Sequence, residues 1–250
     1  MALLEIGGAP FDADLVIFDK DGTLVDFEFM WGQLAVAQVE ELVSWARGDE
    51  ALRTALYESV GYDWQNRRTL PQSPWALAST EQVLTILAAT LYRHGFPWSE
   101  AEAEVRSAWR RVCAPSALAG LVRPTADLGG LFAALREARV RIAVVTTDER
   151  EVTEETLRLL RIDGLVDFLA CGGDGLPVKP APDMMLAACR ELGVAPERTV
   201  VVGDTVFDLL MGERAGAGLL VGVLSGADTL ERLAPHADVV LRSVDEIGIE

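Results

Sequence analysis

The chain has 250 residues, of which 50% are hydrophobic and 24% charged, which is ordinary for a globular protein with a sizeable core. Its formal net charge is −17, from 39 acidic and 22 basic residues. No basic stretch could neutralise phosphates in series. A nucleic-acid polymer and an anionic membrane surface are therefore excluded as partners, whereas a small anionic substrate is not.

The first predicted element is a short buried strand, Leu15 to Phe18, that ends abruptly in Asp19-Lys20-Asp21-Gly22-Thr23. Only two of the 22 basic residues are lysines: Lys20 in this segment, and Lys179 at the expected start of a later helix. A compact ammonium neutralises one crowded oxygen as a point charge, unlike the planar fork of arginine. Both lysines are therefore candidates for a chemical role, with an accident of composition as the alternative for Lys20.

The segment from residue 27 to residue 121 has its own composition, since it contains all six tryptophans and all three tyrosines. Apolar residues at helical spacing from Trp31 to Trp45 predict a helix that stops at Gly48. Ser79 to Gln82 and Ser99 to Glu102 both have the pattern of a capping box at the start of a further helix. No strand pattern is visible, so we predict a helical insertion with a core of tryptophans.

A long polar loop is predicted inside this insertion, between Gly61 and Ser79. It carries Arg67 and Arg68, two adjacent cations that could hold a second anionic group of a substrate. The alternative is that both arginines are simply solvated, because polar loops usually lie at the surface.

The later segments alternate between short apolar runs and helical patterns. Strands are predicted at Leu15 to Phe18, Arg141 to Val145, Thr199 to Val202 and Leu219 to Val223. Helices are predicted at Asp127 to Ala138, Glu151 to Leu160, Pro182 to Leu192 and Phe207 to Ala215. Continuous apolar strands that alternate with helices indicate a parallel sheet covered on both faces. Ligands of such sheets bind beyond the carboxyl ends of the strands.

Polar residues stand at those strand ends. They are Asp19 to Thr23, then Thr146-Thr147-Asp148, then Lys179, then Gly203-Asp204-Thr205 with Asp208 four residues past Asp204. Each alone could be a cap or a turn, but the four together predict one site. Carboxylates that converge there would repel unless a cation lay among them, and oxygen-only ligands favour Mg²⁺. A hydroxyl from Thr146 and an ammonium from Lys179 would match the peripheral oxygens of a phosphoryl group.

The three cysteines, Cys113, Cys171 and Cys189, have no metal-ligand spacing and cannot all pair, so we expect free thiols in a reducing compartment. Residues 1–10 lack a basic region and carry Glu5, unlike a signal peptide. The uncharged stretch at residues 215–227 is too short and too rich in glycine to span a bilayer. These features predict a soluble, cytoplasmic protein.

The motifs DKDGT at 19–23, Thr146 after its strand, KPAP at 179–182 and GDTVFD at 203–208 together resemble the haloacid dehalogenase (HAD) superfamily. The resemblance covers nearly the whole chain and is to the phosphoglycolate-phosphatase-like branch, which has a helical cap after the first strand. It implies an α/β, Rossmann-like core with a central parallel sheet flanked by helices, and a mostly helical cap domain. The core would comprise residues 1–26 and 122–250, and the cap residues 27–121.

The resemblance also implies roles for single residues. Asp19 would be the nucleophile that forms an aspartyl-phosphate, and Asp21 the general acid and then the base that activates water. Mg²⁺ would be held by Asp19, by the backbone carbonyl of Asp21 and by Asp204. Asp208 would be a further ligand, directly or through water, or would orient Lys179.

The remaining residues would bind the substrate. Thr146 and Lys179 would hold the phosphoryl oxygens, and the hydroxyl of Thr147 would add a contact. Lys20 departs from the apolar residue that the family usually has between its two aspartates. Its peptide N–H is expected to face the phosphate, while the place of its side chain stays open.

The function implied is a Mg²⁺-dependent phosphatase that hydrolyses a small phosphorylated metabolite such as phosphoglycolate, a sugar phosphate or a nucleotide. A phosphomutase is one alternative, but it would need extra acid–base residues in the cap, where none is obvious. A HAD hydrolase other than a phosphatase is another: a dehalogenase has no need of Asp21, and a phosphonate hydrolase wants a cap lysine that residues 27–121 lack. A non-catalytic binding module is disfavoured because no motif carboxylate is missing. Substrate identity stays open, as does the choice between a monomer and a homodimer.

Overall fold

The computed structural model describes residues 2–249, which form two compact units. The first comprises Met1–Phe27 and Val122–Glu250, and the second comprises Glu28–Leu121. None of the helices described between residues 2 and 249 has the length and apolar character needed to span a lipid bilayer.

The strands and helices are numbered in chain order. The strands are β1 (Ala2–Ile6), β2 (Ala9–Ala13), β3 (Leu15–Phe18), β4 (Tyr62–Asp63), β5 (Arg68–Thr69), β6 (Arg141–Glu149), β7 (Phe168–Gly172), β8 (Thr199–Gly203), β9 (Leu219–Val223), β10 (Val239–Leu241) and β11 (Ile247–Ile249). The helices are α1 (Phe27–Ala46), α2 (Glu50–Val60), α3 (Pro74–Leu77), α4 (Thr80–Arg93), α5 (Trp98–Val112), α6 (Pro115–Leu118), α7 (Leu128–Glu137), α8 (Arg150–Leu159), α9 (Asp183–Leu192), α10 (Val206–Ala215) and α11 (Leu230–Leu233).

The first unit is built on a six-stranded parallel sheet in the order β10-β9-β8-β3-β6-β7. The central strand β3 has neighbours on both sides, with Phe18 opposite Val144 of β6 and Val202 of β8. The predicted parallel sheet flanked by helices is therefore confirmed, and the ends of β3, β6 and β8 lie side by side.

Both faces of the sheet are buried, which explains why its strands are continuously apolar. Val16 and Phe18 of β3 belong to one apolar cluster, whereas Leu15 and Ile17 belong to the cluster on the other face. All four side chains are fully buried. The ring of Phe18 stacks on Phe132 of α7 at 5.2 Å between centroids, so β3 is fixed from both sides immediately before Asp19.

A second, three-stranded antiparallel sheet in the order β11-β1-β2 was not predicted from the sequence. Strand β1 pairs with β2 through a two-residue turn, and its other edge pairs with β11 near the far end of the chain, Leu4 opposite Ile249. Strands β7 and β10 at the edges of the parallel sheet were also missed.

Strand β6 continues to Glu149, so the prediction that it ends at Val145 is wrong. Its pairing with β7 is irregular: Val145 lies opposite Ala170 and Glu149 opposite Gly172, so β6 has two extra residues between these pairs. Such bulges redirect side chains and are frequent next to active sites. The bulge carries Thr146, Thr147 and Asp148.

The second unit consists mainly of helices α1 to α6, as predicted for the insertion that follows β3. The prediction that it contains no strand is wrong, because β4 and β5 form a short hairpin, with Tyr62 opposite Thr69. These strands have only two residues each, too few for a period-two pattern to be visible.

The tryptophan core predicted for the insertion is present. The ring of Trp31 stacks on Trp109 and meets Trp75 edge-on, with 5.9 Å between centroids in each case. Trp75 and Trp109 are buried, as expected for large aromatic side chains at helical spacing.

Only one of the two predicted capping boxes is formed. Ser79 and Gln82 exchange both hydrogen bonds of the box at the start of α4. The box predicted from Ser99 to Glu102 is wrong, because α5 begins at Trp98 after Pro97 and has no side-chain cap. Ser99 lies inside the first turn, where it cannot act as the N-cap residue.

Candidate active site

The candidate site lies at the carboxyl ends of β3, β6 and β8, where the polar motifs follow their strands. The backbone N–H of Asp19 donates to the carbonyl of Val202 at 2.9 Å and thereby ties the end of β3 to β8. Neighbouring parallel strands thus deliver the DKDGT and GDTVFD motifs to one edge of the sheet.

Lys179 lies between two aspartates from different motifs. Its Nζ is 2.5 Å from Oδ1 of Asp19 and 2.5 Å from Oδ1 of Asp208, and its side chain is buried. Burial acts against the charged form, but the two carboxylates outweigh it, so the pKa of Lys179 is raised. The residue does not open a helix as predicted: α9 begins at Asp183, and Lys179 lies in the segment before it.

Asp208 is held in place by the start of helix α10. Its Oδ2 accepts hydrogen bonds from the backbone N–H of Thr205 at 3.0 Å and from the Thr205 hydroxyl at 2.6 Å, which completes a capping box. The same carboxylate therefore caps the helix with one oxygen and pairs with Lys179 through the other. From the sequence alone, Asp208 could be either a helix cap or a site residue; in the structure it is both.

Asp204 is a buried carboxylate that is only half satisfied. Its Oδ2 accepts from the backbone N–H of Ala227 at 2.7 Å, while its Oδ1 has no hydrogen-bond partner among the described residues. Burial raises the pKa of Asp204 well above its ordinary value, and the charges of Asp19 and Asp208 add to this.

The three carboxylates of Asp19, Asp204 and Asp208 each offer an oxygen within 4.8 Å of the others. Three buried carboxylates this close repel one another, and one ammonium from Lys179 does not balance three negative charges. An oxygen-only cluster with an unpartnered oxygen suits a hard cation. These residues could therefore hold a metal ion.

The close approach of these carboxylates also affects the pKa of Asp19. The pKa of Asp19 is raised to about 7: burial is the largest cause, Lys179 acts in the opposite direction, and the charges of Asp208 and Asp21 add to the rise. The unfavourable charge would be relieved by a cation beside it, since a nearby positive charge favours the ionised carboxyl.

Two glycines shape the space around Asp204. A Cβ atom on Gly22 would lie 2.3 Å from Asp204 Oδ2, and one on Gly226 would lie 1.9 Å from it. Gly22 also has a positive φ of 85°, which side chains disfavour. The hydroxyl of Ser225 donates to the carbonyl of Gly22 at 2.6 Å and joins the two loops. The loop after β9 is thus a wall of the site that the sequence analysis missed.

Thr146 lies buried in the bulge of β6. Its hydroxyl oxygen accepts a hydrogen bond from the backbone N–H of Asp148 at 3.1 Å. A hydroxyl that accepts in this way can still donate its hydrogen to an anion. Thr147, the next residue, is half-buried.

Lys20 forms a second buried ion-pair group. Its Nζ is 2.6 Å from Oδ1 of Asp21 and 3.1 Å from Oδ2 of Asp148. Burial opposes the charge of Lys20, but the two carboxylates outweigh it and raise its pKa, while burial raises the pKa of Asp148. The side chain of Lys20 is fully buried, so the expected substrate contact applies to its peptide N–H and stays a prediction.

Asp148 is a site residue to which the sequence analysis gave no role. It was visible as the third polar residue after the β6 run, but its partner Lys20 is distant in sequence and their pairing depends on the neighbouring positions of β3 and β6.

Arg67 and Arg68 belong to the second unit, where both are exposed in or beside the β4–β5 hairpin. Arg68 Nε lies 3.5 Å from Asp63 Oδ2. Their expected contact with substrate stays a prediction.

Comparison with known families identifies the class of protein. A family model of haloacid dehalogenase-like hydrolases matches residues 13–216. Because the match spans most of the chain, the chain belongs to the haloacid dehalogenase-like hydrolases. The resemblance to this superfamily drawn from the four motifs is confirmed, and the helical insertion that it implied follows β3.

Individual relatives are similar over different parts of the chain. It is 33% identical over 129 residues to pyrophosphatase PpaX of Halalkalibacterium halodurans, which covers 51% of this chain and 59% of the relative. It is 31% identical over 94 residues to a phosphoglycolate phosphatase of Aquifex aeolicus, covering 38% and 44%. The chain thus spans about half the length of these curated relatives.

A crystal structure covers more of the molecule. The chain superposes on a HAD family hydrolase from Deinococcus radiodurans R1 with bound phosphate and sodium, with a TM-score of 0.61 and 26% identity. The match covers 94% of this chain and 93% of the other.

Proposed function

We propose that this chain is a Mg²⁺-dependent phosphatase that hydrolyses a small organic phosphate monoester through an aspartyl-phosphate intermediate. The observation that carries the proposal is the meeting of Asp19, Asp204 and Asp208 within 4.8 Å, with the Lys179 ammonium against two of them. This is a nucleophile, a set of metal ligands and a phosphate-binding cation in one place.

Asp19 is the proposed nucleophile. One carboxylate oxygen attacks phosphorus as the bond from phosphorus to the ester oxygen breaks, so that the phosphoryl group is transferred to Asp19. The carboxyl group of Asp21 gives its proton to the leaving oxygen, and the alcohol departs. Asp21 then takes a proton from water as the water oxygen attacks phosphorus, which releases inorganic phosphate and restores Asp19.

Lys179 and Thr146 hold the phosphoryl oxygens in this scheme. The ammonium of Lys179 is already beside Asp19, and the Thr146 hydroxyl keeps its hydrogen available for an anion. Donors that are fixed before the reaction stabilise the charge that develops in the transition state without reorganisation. Thr147 and the peptide N–H of Lys20 are proposed as additional contacts.

Asp19, Asp204, the backbone carbonyl of Asp21 and, directly or through water, Asp208 are the residues that would hold Mg²⁺. Bound there, the ion would neutralise the carboxylates and the phosphoryl oxygens. The unpartnered Oδ1 of buried Asp204 supports this assignment, as does the fact that all three residues of the cluster offer carboxylate oxygens.

The substrate is proposed to be a small phosphorylated metabolite such as phosphoglycolate, a sugar phosphate or a nucleotide. The similarity to a phosphoglycolate phosphatase and to a pyrophosphatase supports a compact anionic substrate. Arg67 and Arg68 are candidates for a second anionic group. We further propose a cytoplasmic protein, monomeric or homodimeric, without nucleic-acid or membrane partners, in keeping with the net charge of −17.

The test is a panel of phosphate esters assayed for phosphate release with Mg²⁺ and after its removal by a chelator. We expect release that requires Mg²⁺ and disappears in Asp19→Asn. The panel should include p-nitrophenyl phosphate, whose leaving group needs little acid assistance. If the purified chain releases phosphate from none of these esters, the proposal fails and the phosphomutase and binding alternatives return.

A further inference from the structure

The position between Asp19 and Asp21 is unusual in this chain because it carries a lysine whose side chain cannot reach solvent. Lys20 is one of two lysines among 22 basic residues, and its side-chain exposure is 0%. A buried charge of this kind is costly unless it is paired. The residues that pair with the Lys20 ammonium therefore indicate its role.

The pairing is asymmetric with respect to solvent. Lys20 Nζ contacts Asp21 Oδ1 at 2.6 Å, and the Asp21 side chain retains 14% exposure. On its other side the ammonium contacts Asp148 Oδ2 at 3.1 Å, and Asp148 has an exposure of only 2%. The buried ammonium of Lys20 thus holds Asp21 through Oδ1, while part of the Asp21 carboxyl group remains accessible to a ligand.

Asp148 is a firm anchor for the ammonium. Its Oδ1 accepts from the backbone N–H of Glu149 at 2.7 Å, and its own N–H donates to the Thr146 hydroxyl at 3.1 Å. Both bonds lie within the bulge of β6. A chain of contacts therefore runs from Thr146 through Asp148 and Lys20 to Asp21, across the ends of two neighbouring strands.

We propose that Lys20, anchored by Asp148, is a positioning residue: its ammonium donates to Oδ1 of Asp21, so that the proton passed to the leaving group is carried by the other carboxyl oxygen, whose direction is thereby fixed. This inference rests on the proposed function, in which Asp21 is the general acid. An aspartate side chain has two rotatable bonds, and fixing them removes misdirected orientations before the substrate binds. Arginine would be a poor replacement, since its broad planar fork does not fit a buried point contact with two single oxygens.

The test compares substrates whose leaving groups need different amounts of acid assistance. The measurements are kcat and KM for an alkyl phosphate, phenyl phosphate and p-nitrophenyl phosphate with Lys20→Met. We expect kcat/KM, which reports phosphoryl transfer up to the departure of the alcohol, to fall by about 10²-fold for the alkyl ester, as for a misplaced catalytic group, and much less for p-nitrophenyl phosphate. The value of kcat also contains hydrolysis of the phosphoenzyme, a step common to all three substrates, so kcat/KM is the quantity that distinguishes them. If Lys20 only stabilised the fold, Lys20→Met would lower the kcat/KM values of all three substrates by the same factor.

Two additional variants keep the result interpretable. Lys20→Met leaves Asp148 buried without its ammonium and can destabilise the fold; Lys20→Met/Asp148→Asn removes both charges and should show the same dependence on the leaving group. Arg198→Met removes an ion-pair network at the start of β8, away from the carboxyl ends of the strands, and should affect the three substrates equally. Thermal unfolding of each variant gives its folded fraction.

The outcomes separate this inference from the proposed function. A loss that grows with leaving-group basicity in either Lys20 variant supports the positioning role. An equal loss for all substrates, no loss, or failure of both variants to fold overturns it, while Mg²⁺-dependent turnover of the wild type still stands. Absence of turnover in the wild type overturns the proposed function itself.

Discussion

Each of the two lysines in the chain is buried against a pair of carboxylates. Lys179 lies between Asp19 and Asp208, and Lys20 lies between Asp21 and Asp148. An ammonium has the compact charge needed to contact two single oxygens from different elements. The presence of lysine instead of arginine at these two positions therefore has a structural reason.

The two motif aspartates should respond differently to loss of charge. Asp19→Asn is expected to lower turnover by at least about 10³-fold and to prevent phosphoenzyme formation, because the attacking oxygen is lost. Asp21→Asn should lower turnover by about 10²- to 10⁴-fold, the usual contribution of a general acid or base. It should still form phosphoenzyme from p-nitrophenyl phosphate. Rapid-quench experiments followed by intact-mass analysis would detect this phosphoenzyme. Full activity in either variant would contradict the roles assigned to Asp19 and Asp21.

Among single residues, the motifs predicted that the side chains of the site meet and, as one of the roles offered for Asp208, its contact with Lys179, but they did not predict the partners of Lys20. Asp19, Asp204, Asp208 and Lys179 were expected together because they follow or border strands of one sheet, and they do meet. The contact of Lys20 with Asp148 could not be predicted, since it depends on side-chain directions inside a bulge.

At the scale of elements, the loop after β9 is as important to the site as the motif loops. The missing side chain of Gly226 leaves room for Asp204 Oδ2, which also accepts the N–H of Ala227. The carboxylate is thus enclosed by backbone on one side and directed toward Asp19 and Asp208 on the other. A sequence search for charged residues does not detect such a contribution, because it is made by main chain.

We expect Gly226→Ala to displace Asp204, since the new Cβ would lie 1.9 Å from its Oδ2. Overpacking of this kind costs about 1–3 kcal/mol of stability, and the Mg²⁺ concentration for half-maximal activity should rise by about tenfold. Both can be measured, by thermal unfolding with and without Mg²⁺ and by titration of activity. Gly164→Ala is the matched control, because a Cβ there meets no atom within 4 Å; an equal effect in both variants would contradict the prediction.

The sequence predicted those strands and helices whose own residues show a clear hydrophobic pattern. Strands β3, β8 and β9 are continuous apolar runs, and helices were predicted after β3 and β8, whereas the four-residue helix α11 after β9 was not. Strands β1 and β11 were missed because they are short, with five and three residues, and because each pairs with a partner at the other end of the chain. Gly7-Gly8 between β1 and β2 is typical of a hairpin turn and could have indicated that pair.

At the scale of the whole first unit, Arg198 joins the antiparallel sheet to the parallel one. Its guanidinium donates to both oxygens of Asp12 in β2, at 2.8 and 2.9 Å, and also to Asp14 just before β3. Hydrogen bonds from Arg198 lower the pKa values of Asp12 and Asp14 against a smaller effect of burial. This network should make stability depend on pH.

A carboxyl whose pKa is lower in the folded state stabilises the fold above its unfolded pKa, and this stabilisation is lost as pH falls through the folded value. Arg198→Met should therefore lower the free energy of unfolding near neutrality, and its difference from the wild type should shrink below the ordinary Asp pKa of about 3.9. Urea unfolding across this range measures the effect. A difference that does not change with pH would show that the ion pairs do not contribute.

The insertion between β3 and β6 has a consequence for the order in which the chain can fold during synthesis. Strand β3 is made early, but its neighbours β6 and β8 follow only after the whole insertion has left the ribosome. Pairing across so long a stretch is slow, and an unpaired apolar strand is prone to aggregate meanwhile. The helices of the insertion find their partners within the insertion itself, such as Trp31 with Trp109, so they can assemble on the nascent chain before the parallel sheet is complete.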